Sequence, residues 1–227
     1  MYIKIYQINR SRDNYEPVIK GLTFFDRFSD TDNIDSSIYD EVFSGDVPCE
    51  SLEEIYTMFN VEGHALYRGR QMNTADIIEV NNEHYYVRPL GFTKVNFDPS
   101  QTVKPDNLLK IVYVEPHKKP FVSEVEDTLE ALQRAVGDGL IEDIYNGDMT
   151  SIVCNDESKL RGMEGNRRIG DGSSIIAGPF FVVGINGENY RSLSDAEVDK
   201  YLKMFDTPED ISQEEVEEDM GFVFMSW

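Results

Sequence analysis

Branched and aromatic residues open the chain in partial alternation, Tyr2, Ile3, Lys4, Ile5, Tyr6, Gln7, Ile8, which predicts a strand. Ser51 and Glu54 have capping-box spacing, with the hydroxyl placed to accept from a free helical amide and Glu54 to reach back to the amide of Ser51. Leu52, Ile55, Tyr56 and Phe59 then recur at i, i+3, i+4 and i+7, one apolar stripe for docking on a sheet. Ala75 to Val80 and His84 to Arg88 read as two short strands turned by Asn81-Asn82, because Asn tolerates positive φ. Thr23–Phe28 and Ser37–Phe43 form two short amphipathic pieces without a clean period.

The pattern is sharper beyond residue 107. Leu108 to Val114 is a nearly continuous apolar run, suited to a buried strand. Ser123 and Glu126 have capping-box spacing and predict a helix carrying Val125, Leu129, Leu132 and Val136 on one face, stopped by Gly137. Leu140–Tyr145 and Ser151–Asn155 follow as strands around an Asn146-Gly147 turn. Ile175–Ile185 is a further core strand that Gly178-Pro179 bends or confines to an edge. Ser194 and Glu197 open a last helix with Val198, Tyr201, Leu202 and Phe205 inward. The prolines of the polar stretch Asp98–Asn107 mark a linker, with the boundary near residue 103. The fold class expected is α+β: two small domains, each with a mainly antiparallel sheet and packed helices, over residues 1–103 and 104–208, then an acidic and aromatic segment, 209–227.

Charge changes the picture most. The chain of 227 residues has 43 Asp and Glu against 21 Lys and Arg, a net charge of -22. Residues 1–104 carry 10 basic and 17 acidic side chains, net -7, and residues 105–227 carry 11 and 26, net -15. So negative a surface repels nucleic acid and anionic membrane and favours a basic or nucleic-acid-handling protein as partner. A hydrophobic content of 40% speaks against global disorder. Cys49 and Cys154 stand apart with no CxxC spacing, which suits reduced structural thiols, and no signal core or long apolar span appears; the expected location is the cytoplasm.

The stretches MYIKIYQINRSRD, CESLEEIYTMFN and YYVRPLGF, within residues 1 to about 97, resemble the YodL-like domain. From about residue 108, LEALQRAVGDGLIEDI, NDESKLRGMEGNR, IIAGPFFVVG and SLSDAEV resemble a domain of unknown function found in phage and conjugative-element proteins. The resemblance implies a mobile-element setting in Gram-positive bacteria and counter-defence as one role, and it supplies no catalytic residues.

Local chemistry is sparse. His64, His84 and His117 lie apart and fit no zinc spacing, and HExxH, GxSxG, Walker A and GxGxxG are absent, so no catalytic residue, metal or cofactor is expected. Arg161, Asn166, Arg167 and Arg168 gather in a glycine-rich stretch read as a flexible loop; its guanidinium forks either take an anionic ligand or bond the protein's own surplus acids. Glu124, Glu126, Asp127 and Glu130 on the helix expected from Ser123, with Glu142, Asp143, Asp195, Glu197 and Asp199, are the acids expected to face a partner. The acidic run through Asp219 reads as a solvated segment, and Phe222, Phe224 and Trp227 either add a strand to their own sheet or anchor a partner. The function expected is protein interaction, as a DNA mimic or as a non-mimetic adaptor, with small-ligand binding at the arginine stretch as the third alternative; enzymatic activity is not expected.

Overall fold

The computed structural model of the protein describes residues 1–13 and 34–220. Among them the chain forms two compact units that divide between Asp106 and Asn107, each an antiparallel sheet with packed helices. The expected piece Thr23–Phe28 and the aromatic residues Phe222, Phe224 and Trp227 lie outside the described residues.

The first unit is built on β1 (Tyr2–Ile8), flanked by β2 (Tyr39–Asp46) on one side and β3 (Ile77–Val80) on the other. β4 (Glu83–Val87) and β5 (Phe92–Val95) extend the sheet beyond β3. Asn81 and Asn82 turn β3 into β4 at φ of 53° and 60°, the left-handed backbone the Asn-Asn pair predicted. One core gathers Tyr6, Tyr39, Ile77, Tyr86 and Phe97. Helix α1 (Leu52–Thr57) starts where Ser51 accepts from the amide of Glu54, and buries Ile55. Its capping differs in one detail, because the Glu54 carboxylate takes the amide of Glu50 rather than that of Ser51. The stretch expected as a linker is partly structured: Asp98 caps a single 3-10 turn over Pro99–Gln101, and Val103 exchanges backbone bonds with Tyr39 and Glu41.

In the second unit the strands run β7 (Phe121–Glu126), β6 (Leu108–Val114), β12 (Phe180–Asn186), β9 (Thr150–Asn155), β8 (Ile141–Tyr145), with β13 (Asn189–Arg191) also paired to β12. Both faces of β6 are covered, which is why its sequence is a continuous apolar run. Val112 and Val114 join Val182, Val198, Tyr201 and Phe205 beneath α3 (Asp195–Met204), whereas Tyr113 donates from the opposite face to the carbonyl of Ala135 in α2 (Leu129–Ala135). Helix α3 begins at the expected Ser194–Glu197 capping box.

Four expectations in this half need correction. Ser123 does not open a helix; it is buried in β7, opposite Ile111, with Val125 inward on the same period of two. The helix starts five residues later, capped by Thr128, whose hydroxyl accepts from the amide of Ala131, and Leu129 is 63% exposed instead of inward. The capping-box spacing occurred by chance inside a strand, and strand pairing overrode it. The Ile175–Ile185 run breaks at Gly178 (φ 73°) into β11 (Ser174–Ala177) and β12, which lie in different sheets. The stretch read as a flexible loop forms β10 (Gly165–Ile169), paired antiparallel with β11. The acidic run forms α4 (Gln213–Asp219), opened by a Ser212–Glu215 capping box and anchored by Val216 against Ile175, Ala177 and Ile211. Gly165 permits that contact, since a Cβ there would lie 2.6 Å from Ile211.

Candidate functional site

The arginine stretch does not converge on one site; its side chains bond different parts of the unit. Asn166 is fully buried and donates to the carbonyls of Val114 and Gly178. Arg167 is 1% exposed, and its guanidinium donates to the carbonyls of Asn166, Lys118 and Phe205 and to Asn166 Oδ1 at 2.7–3.0 Å. Burial lowers its pKa, and Nε has no hydrogen-bond partner among the described residues. Arg168 clamps α4 through Glu209 Oε2 at 2.8 Å and Glu215 Oε1 at 2.6 Å. Arg161 donates to the carbonyls of Gly137 and Asp138. These contacts fasten β10, α3 and α4 to one another.

Other cations of this unit are also held by acids: Lys110 by Asp195, Lys119 by Asp206, Lys159 by Asp219, Arg191 by Glu197 and Lys200 by Asp148. The Arg191 guanidinium, with the amide and hydroxyl of Ser194, holds the Glu197 carboxyl down to about 2. Of the acids expected to share a helix, Glu124 and Glu126 instead project from one side of β7, Asp127 sits in the following turn, and Glu130 lies in the first turn of α2. The spacing that seemed to join them in one helical row is not realised.

Sequence reasoning missed the most uniform surface. Residues 138–157, the β8–β9 hairpin and its flanks, contain Asp138, Glu142, Asp143, Asp148, Asp156 and Glu157 and no Lys, Arg or His. All six residues are exposed, while β9, paired beside β8, is buried throughout. Glu142 and Asp143 are among the acids expected to face a partner; a charge count over the window adds Asp138, Asp148, Asp156 and Glu157. Leu140, Tyr145 and Met149 interrupt it, exposed by 57%, 58% and 49%.

The first unit has two polar clusters that no motif announced. Asp76, fully buried, accepts from Arg70 Nη1 and Nη2, Gln7 Nε2 and the amide of Asn73 at 2.6–3.0 Å. Burial pushes its carboxyl up to about 6 against these donors. On β3, Glu79 accepts from the Tyr6 hydroxyl at 2.5 Å and lies 3.4 Å from His84 Nε2; His84, then Tyr6 and Lys4, hold it below the ordinary carboxylate range. His84 also lines a cavity of 470 Å³ with Lys94, Asn96, Phe97 and Gln101. At its rim Lys94 is bonded to Glu83, and Asp98 accepts from Ser100 and Gln101. Among the described residues no three His, Cys, Asp or Glu converge to hold a metal ion. Cys49 and Cys154 are buried thiols outside any disulfide, and burial pushes Cys154 up to about 12.

Residues 2–97 match the family model of the YodL-like domain, and residues 109–206 match that of a domain of unknown function, DUF3846. The chain carries a YodL-like domain followed by a DUF3846 domain. No curated protein and no solved structure matches it. β1 and the His84 cluster fall in the YodL-like domain, the arginine contacts and the acidic hairpin in the DUF3846 domain, and α4 lies beyond it. No helix among the described residues is long and apolar enough to cross a membrane.

Proposed function

We propose that the protein binds and modulates a basic, nucleic-acid-handling protein by offering carboxylates where that partner accepts phosphates. The observation that carries this reading is the β8–β9 hairpin, whose stretch 138–157 presents six exposed acids and no cation. Lys200 of α3 bonds one of the six, Asp148, and Glu142 and Asp143, adjacent in β8, face opposite sides of the sheet, so over the roughly 23 Å such a hairpin spans each face carries on the order of one charge per 9 Å. Duplex DNA carries about one per 1.7 Å and each strand about one per 3.4 Å. The hairpin is therefore sparser in charge than either, and the proposed target is a basic groove that holds a nucleic-acid backbone, single or double. A ligand role for the arginine stretch draws no support from the contacts of Arg161, Asn166, Arg167 and Arg168, which are internal.

The proposed setting is the cytoplasm of a Gram-positive bacterium hosting a mobile element, where the protein would act in counter-defence. This rests on the resemblance to the YodL-like domain and the domain that follows it, and on two buried thiols outside any disulfide. Purified protein is used to capture partners from such a host's lysate across a salt series, with single-stranded and duplex oligonucleotides as competitors. The expected result is capture of a nucleic-acid-handling protein that weakens with salt and is displaced by an oligonucleotide competitor. Capture indifferent to salt and to both competitors would overturn the reading in favour of a non-mimetic adaptor.

A further inference from the structure

β8 closes its sheet with one side unpaired among the described residues, since β9 is its only partner. The ladder determines which groups are open. Asn146 donates its amide to Thr150, and Asp156 donates to Leu140, so the even-numbered residues of β8 bond β9. The amides and carbonyls of Ile141, Asp143 and Tyr145 therefore point away from the sheet, three donors and three acceptors in a row. Exposed Leu140, Tyr145 and Met149 border this edge, with Tyr145 and Met149 in contact at 3.9 Å, and Glu142 and Asp143 stand at its centre.

We propose that the outer edge of β8 is a docking site for an extended, lysine- or arginine-bearing segment of the partner, which adds to the sheet as a further strand. Backbone bonds to Ile141, Asp143 and Tyr145 hold the segment; the cations on one of its faces meet Glu142 or, in the flipped register, Asp143, and the apolar residues of its opposite face cover Tyr145 or Leu140 in turn. A second copy of this chain is rejected at the same edge, because pairing β8 with β8 sets acid against acid at the centre. The inference deepens the reading above, from which it takes the basic character of the partner.

The test uses the full chain and a blocked peptide alternating lysine and valine. Two control peptides are used, one with glutamate for lysine and one N-methylated at alternate amides. Binding is read by fluorescence anisotropy and by amide hydrogen exchange. The lysine peptide is expected to bind and to slow exchange at Ile141, Asp143 and Tyr145 by about tenfold or more, with little change at Glu142 and Ile144, whose amides already bond β9. Both control peptides should fail to bind. Glu142→Lys with Asp143→Lys should transfer preference to the glutamate peptide, and Asp143→Pro, which removes an outward amide and leaves the β9 ladder intact, should weaken binding about tenfold more than Asp143→Asn, which removes the charge and keeps that amide. Equal binding of the N-methylated peptide, or binding without slowed exchange at the outward amides, would show attraction by charge only and overturn the inference. No binding at all would mean that the acids merely guard the edge, and would overturn it as well. A salt-sensitive capture of a nucleic-acid-handling protein in the lysate experiment would survive either failure.

Discussion

At the scale of single residues, burial sorts the chemistry. Arg167 is a buried guanidinium whose hydrogen-bond acceptors are carbonyl and amide oxygens, spread over β10, the loop after β6 and the end of α3. A lysine ammonium is a compact point charge and cannot span that set, so Arg167→Lys leaves buried acceptors unmet and is expected to cost about 2–4 kcal/mol. Arg168→Lys, at a half-exposed pair, should leave the unfolding midpoint nearly unmoved; chemical denaturation of both variants checks the contrast. Asp76 gives a pH signature. Its folded carboxyl binds a proton more tightly than the unfolded chain does, so ionising it costs stability as pH rises from the ordinary value of 3.8 through about 6. Asp76→Asn does not titrate. Its penalty should therefore be larger near pH 4 than near pH 7, by up to about 3 kcal/mol, and urea unfolding at both pH values that gave the reverse order would refute the assignment.

Elements form where local preference and tertiary pairing agree, and β7 is where they disagree. Ser123 has a helix-opening spacing and sits in a strand, whereas Thr128 performs the capping. Thr128→Ala is accordingly expected to destabilise by about 1 kcal/mol through the loss of the bond to Ala131. Ser123→Ala should show no loss of helical signal in circular dichroism, since no helix depends on it. The acidic run of α4 is helical for a related reason. Its charges lie along a surface anchored at one point by Val216, and Arg168 and Lys159 neutralise Glu215 and Asp219 beside it.

Over the whole molecule, charge dominates. A net charge of -22 keeps copies apart at neutral pH, and that repulsion vanishes near the isoelectric point of 4.4. Light scattering across a pH series should therefore show a solubility minimum near that value, with recovery on either side. A minimum displaced well above it would mean that folded carboxylates other than Asp76 hold their protons strongly.

The sequence by itself determined the elements whose signals are local: β1, the left-handed Asn81-Asn82 turn, the buried run of β6 and the α3 capping box. Each rests on residues within a few positions of one another, so its physics is contained in a short window. It also determined the charge, the α+β class and the absence of familiar catalytic motifs. Tertiary structure decided the rest. Only strand pairing could show that Ser123 faces a core, that Gly178 separates two sheets and that the arginine stretch is a strand engaged by distant carbonyls. Only the fold could give β8 an open edge, because an unpaired amide is defined by which strands are neighbours, and that depends on contacts between residues far apart in the chain.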